Sequence, residues 1–196
     1  QPESQGRLKL YYNWRPQVVV DFHEMGRDRT YFFQPGIPSR NNPNTPENVF
    51  NLTNKLATYH AEALNNIGVL YYSKESFDDF YYGKGSSFPD ITGAVGILFE
   101  QASSRGLATS TTSGELSYTF SIKNHFNASL GTLKGMWEMR DEFLEHQRNF
   151  YRDASKAAIQ FPTKAYLIST EYKKTQVGLL LNNLSQHQVK LHSLKK

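Results

Sequence analysis

Apolar positions along this chain fall into short dense runs and longer stretches of helical period, the pattern of strands joined through helices. Val18-Val19-Val20-Asp21-Phe22 reads as a buried strand that runs on into His23-Glu24-Met25-Gly26. A second dense run, Ala94-Val95-Gly96-Ile97-Leu98-Phe99, continues into Glu100-Gln101-Ala102-Ser103-Ser104-Arg105-Gly106. Between them Thr45-Pro46-Glu47 offers a capping threonine and an early proline. Val49, Leu52, Leu56, Tyr59, Ala63, Leu64 and Ile67 then recur at helical spacing, which predicts a helix over 47–67 closed by Gly68. His60 and Glu62 fall on the flanks of that helix and read as structural.

Residues 8–14 read as the end of a helix, because Arg15 precedes Pro16 and is pushed out of the helical region. Residues 27–40 read as an irregular loop with an extended piece at 30–33, and 41–46 are dense in turn formers. A short strand is expected near 69–72. The glycine and serine content of 80–90 predicts a mobile loop covering a site. Residues 120–158 are expected to be mostly helical, with Phe126, Leu130, Leu133, Trp137, Phe143 and Leu144 as a core-facing stripe. Beyond Phe161-Pro162 the pattern predicts β-α-β over 165–168, 175–186 and 188–192, too small for a core of its own. The expected fold is α/β, a mixed sheet flanked by helices over 1–160, with the start of a further α/β module at 161–196.

Composition narrows the function classes. A length of 196 residues, 38% hydrophobic and 14% aromatic, is enough for a packed core. No apolar run approaches the roughly 20 residues of a membrane span, so none is expected. The absence of cysteine excludes disulfides, thiolate nucleophiles and cysteine-held zinc. The net charge of +4 comes from scattered basic residues, and Tyr11-Tyr12, Tyr71-Tyr72 and Tyr81-Tyr82 lack an interleaved basic stripe, so no nucleic-acid partner is expected. No charged segment followed by an apolar run and a small-residue cleavage site opens the sequence, so a secretory leader is expected to be absent or already removed.

The chemistry gathers at the strand ends, where open α/β sheets build their sites. Strand period two puts Asp21 on the face of His23, placed to orient its imidazole, and sends Glu24 to the opposite face toward the Arg27-Asp28-Arg29 loop. Glu100 ends the second run. Tyr81 and Tyr82 precede Gly83-Lys84-Gly85-Ser86, which lacks the Lys-Ser/Thr ending of a phosphate loop, and no Gly-x-Ser-x-Gly elbow occurs. The structural alternatives are a core histidine on a backbone carbonyl, a Glu100 pair with Arg105, and tyrosines that merely line a wall.

In order and context these segments resemble the zinc carboxypeptidase family, in which a strand ending Asp-x-His supplies a zinc ligand and a later strand ends in the catalytic glutamate. The resemblance spans roughly the first two thirds of the chain. It implies one zinc ion with His23 as a ligand, and Glu100 as the base that takes a proton from zinc-bound water and passes it to the leaving amine. It also implies Tyr81 or Tyr82, with Tyr81 preferred, as the tyrosine that covers the substrate terminus. The implied substrate is a peptide or cell-wall peptide cut at its carboxyl-terminal bond, and bacterial proteins similar to it are usually exported.

The family's His-x-x-Glu ligand pair and its substrate-binding Asn-Arg pair belong upstream of the strand matched by His23, and neither motif occurs in this chain. The expectation is therefore the carboxyl-terminal part of a catalytic domain, inactive alone. Its competitor is a non-catalytic binding or structural module with the same sheet.

Overall fold

The two dense apolar runs become neighbouring strands. In chain order the sheet uses β1 (Val18–Met25), β2 (Tyr31–Phe33), β3 (Tyr71–Tyr72) and β4 (Val95–Ala102), arranged in space as β1-β4-β2-β3. β1 runs parallel to β4, β4 antiparallel to β2, and β2 parallel to β3, so the sheet is mixed. The structure, a computed structural model, describes residues 1–194. The chain is α/β, with five α-helices and this mixed sheet among the described residues. It divides into two compact units, Gln17–Asp153 and a second made of Gln1–Pro16 with Ala154–Lys196.

Within the larger unit the sheet has two unlike faces. Strand alternation puts Val18, Val20, Val95, Ile97, Phe99, Tyr31, Phe33 and Tyr71 on one of them. These side chains pack with Val49, Leu52, Leu56 and Leu64 of α2 (Glu47–Asn65) and Ala128 of α3 (Tyr118–Glu138). Burying each large apolar side chain contributes roughly 1.5–3 kcal/mol, so this layer anchors the sheet. The opposite face carries Asp21, His23, Glu100, Phe32 and Tyr72.

α3 meets α2 through small residues. A Cβ built on Gly131 would lie 2.8 Å from the Tyr59 carbonyl oxygen, and one on Gly135 would lie 2.5 Å from Leu56 Cδ1. The predicted stripe is thereby corrected: Phe126, Leu130, Leu133, Trp137 and Leu144 are exposed, and of that set Phe143 alone is buried. The α3 residues that face inward are Ser121, Asn124, Ala128, Gly131, Thr132 and Gly135, because a close backbone approach excludes bulky side chains. The helical stretch also breaks at Met139, where α4 (Arg140–Gln160) begins.

His60 likewise departs from expectation. It is wholly buried rather than on a flank, set edge-on to Phe99 and Phe33, with Nε2 3.0 Å from Thr132 Oγ1. Glu62 is on the surface and pairs with Lys134 at 3.0 Å. The sheet is followed by a hairpin, β5 (Ala108–Thr111) and β6 (Gly114–Ser117), and Ser117 caps α3 by accepting from the Phe120 amide.

The smaller unit holds α1 (Pro2–Trp14) and α5 (Lys174–Gln186), with Tyr12 Oη 3.1 Å from His187 Nδ1. The expected trailing β-α-β retains only its helix. Residues 165–168 and 188–192 form no strand and are exposed, so neither has a partner strand to complete its backbone hydrogen bonds.

Candidate functional site

The site is set by register. His23 lies opposite Glu100 in the parallel β1–β4 pair, with Asp21 one pleat earlier on the same face. Asp21 Oδ1 stands 3.0 Å from His23 Nε2. Nε2 therefore donates to the carboxylate, and in the neutral ring Nδ1 carries the lone pair. The histidine keeps 51% of its side chain in solvent. His23 is therefore not the core histidine on a backbone carbonyl that was the structural alternative.

Glu100 is only 8% exposed. Burial pushes its carboxyl above the ordinary range, opposed by the charge of His23, reinforced by Asp21 and opposed again by Lys84. Arg105 does not pair with it. Arg105 instead lines a cavity of about 550 Å³ beyond the strand ends, with Arg27, Ser103 and Glu24. Glu24 accepts from Ser103 Oγ at 2.9 Å, so the expected tether to the 27–29 loop is replaced by a bond to the end of β4.

Three supporting residues escape the sequence. His125 of α3 sits edge-on to Phe22 of β1, ring centroids 5.0 Å apart, while its Nδ1 lies 2.9 Å from Tyr31 Oη. Burial holds the His125 imidazole below its ordinary range, which suits a neutral bridge between helix and strand. Tyr72, raised chiefly by burial, feels the charge of Glu100 and points its hydroxyl at Met25 Sδ, 3.1 Å away. Lys84 Nζ is 2.7 Å from Asp78 Oδ1. A helical histidine, a strand tyrosine and a loop lysine carry no local signal of a role, since only tertiary contacts bring them to this face.

Tyr81 and Tyr82 are both exposed, their ring centroids 6.1 Å apart. Tyr81 folds back across Gly83, where an added Cβ would collide with its ring. The loop around them has a buried base, for Asp79, Ser86, Ser87 and Asp90 are all enclosed.

Among the described residues no group of three His, Cys, Asp or Glu side chains is placed to hold a metal ion. His23 offers one nitrogen, and a catalytic zinc site commonly needs three protein ligands. The residues present thus do not compose a metal centre by themselves. No helix of the described residues is long and apolar enough to cross a membrane. No family model, curated protein or solved structure matches the chain.

Proposed function

We propose that this chain carries the histidine and glutamate half of a zinc carboxypeptidase-like site, and that the full-length protein hydrolyses the carboxyl-terminal bond of a peptide or cell-wall peptide. The supporting observation is the register that sets His23 opposite Glu100, with Asp21 on the histidine's Nε2. In this reading His23 would supply one zinc ligand through Nδ1, and a His-x-x-Glu pair, a motif that does not occur in these 196 residues, would supply the others. Zinc, when bound, polarises the scissile carbonyl and acidifies a water molecule.

The chain's own residues do the rest. Asp21 fixes the tautomer and rotation of the imidazole, as a carboxylate behind a ligating histidine does. Glu100 is the proton carrier: a raised carboxyl moves toward working pH, where accepting and returning a proton are both feasible. Lys84 supplies a positive charge that keeps the Glu100 carboxylate accessible. Tyr81 or Tyr82, exposed at the tip of a loop whose base is buried, covers the substrate terminus. The 196-residue chain alone is inactive in this reading.

In the full-length protein, Glu100→Gln is expected to lower kcat/KM by about 10²–10⁴-fold with zinc retained. Retention of full activity would overturn the assignment of Glu100. A non-catalytic binding or structural module is the second reading, favoured by the lack, among the described residues, of three side chains placed to hold a metal ion. It predicts a full-length protein without peptidase activity.

A further inference from the structure

Residues 77–92 lie against the site-bearing face of the sheet and carry two buried carboxyl groups, one of them bonded to β4. Asp79 is 7% exposed and Asp90 1% exposed. The Gly96 amide of β4 donates to Asp90 Oδ1 at 2.6 Å, while Asp90 Oδ2 has no donor aimed at it. The Asp79 carboxyl lies within hydrogen-bonding reach of Asp90 and also accepts from Ser87 Oγ at 2.5 Å. Asp79 is further held through its backbone, its amide bonded to the Arg40 carbonyl at 3.0 Å and its carbonyl to the Asn42 amide at 2.9 Å.

Two ionised carboxylates in contact at this burial repel each other with little water to screen them, and one shared proton turns the repulsion into a hydrogen bond. The surroundings supply no other remedy. Asp79 is the one charge that acts on Asp90 among the described residues, and the nearby Lys84 is engaged with Asp78. The contact that the pair secures is tight. A Cβ on Gly96 would collide with the Ser86 carbonyl, and one on Gly85 would lie 2.6 Å from Asp21 Oδ2. The loop backbone thus rests against the carboxylate that holds His23.

We propose that Asp79 and Asp90 are positioning residues, a carboxyl pair sharing one proton that locks the 77–92 loop onto the sheet and sets Gly85 against Asp21. Asp90 is the protonated member: Oδ1 accepts from Gly96 and Oδ2–H donates to the Asp79 carboxylate. Burial first, and Asp79 second, hold the Asp90 carboxyl well above the ordinary range. A carboxyl raised in the folded state stabilises the lock fully at low pH, and that contribution is lost as pH rises through the folded value. The lock thus loosens on the alkaline side.

Carbon-13 NMR of the side-chain carboxyls of the whole chain, with amide exchange corrected for intrinsic rates, tests this. The Asp90 carboxyl is expected to stay protonated well above the ordinary aspartate value of 3.8, and to titrate lower in Asp79→Asn. Protection at Gly85, Ser86 and Ser87 should fall as Asp90 ionises. Asp90→Asn, which can still accept from Gly96 and donate to Asp79, should keep that protection and remove its pH dependence, whereas Asp90→Ala should lose it. An Asp90 that titrates near 3.8, or an Asn variant as unprotected as the Ala variant, would overturn the proposal. If Asp90→Ala does not fold, the titration and the Asn variant still decide. None of these readouts uses zinc or turnover, so the lock and the peptidase reading fail separately.

Discussion

Asp21 decides which nitrogen of His23 is offered outward, and that choice is made inside the strand by the period of two. In the full-length protein Asp21→Asn should weaken zinc binding by roughly 10–100-fold, measured by competition with a chelator, because an amide can donate as well as accept and no longer fixes the tautomer. His60 carries the opposite lesson. Thr132 Oγ1 donates to the Ala128 carbonyl and so accepts from His60 Nε2, which leaves Nδ1 without a donor and the ring neutral. Burial lowers its pKa from 6.5 to about 3. A value depressed on folding contributes stability that is complete above 6.5 and is lost as pH falls toward 3. The loss is of order 4–5 kcal/mol at full protonation. Denaturant unfolding of wild type between these limits should show that slope, and His60→Leu should lack it. The pair of Asp21 and His23 was legible in sequence because strand parity is a local rule. The burial of His60 was not, since a helical wheel built on α2 alone does not know that Thr132 waits opposite it.

For elements, the clearest divergence between pattern and structure is α3. Its large apolar residues recur at helical spacing, yet the helix turns its small residues to α2, because glycines at 131 and 135 permit a backbone approach that bulk would block. Gly131→Val should therefore destabilise by about 1–3 kcal/mol. Trp137→Ala, at a residue 72% exposed, should stay within about 0.5 kcal/mol. Thermal or denaturant melts of the two variants check both, and the reverse order would show that the bulky stripe is the packed face. β1, β4 and α2 were readable from dense apolar runs and a periodic stretch and β2 as a short extended piece, whereas the expected Thr45 cap is not made, since Pro46 precedes α2 without a side-chain cap bond. The β5–β6 hairpin was not, since its exposed strands have no buried face to imprint an apolar alternation. The trailing segments around α5 show the converse, local strand character without a neighbouring strand to realise it.

At the scale of the whole molecule, the sheet unit Gln17–Asp153 contains every residue of this chain assigned to the candidate site. Its helix-facing side supplies rigidity, and its other face gathers Asp21, His23, Glu100 and the locked loop. The two strand ends were expected to meet, and the parallel β1–β4 pairing carries both to the same edge of the sheet. The supports from His125, Tyr72 and Lys84 emerge only once the sheet, α3 and the loop are assembled. The most direct test of the central claim is the zinc content of the purified full-length protein, by elemental analysis, beside its His23→Ala variant and the 196-residue chain. Zinc in stoichiometric amount is expected in the full-length protein, with its loss from both the variant and the shorter chain. A full-length protein without zinc, or a His23→Ala variant that keeps it, would rule out His23 as a zinc ligand.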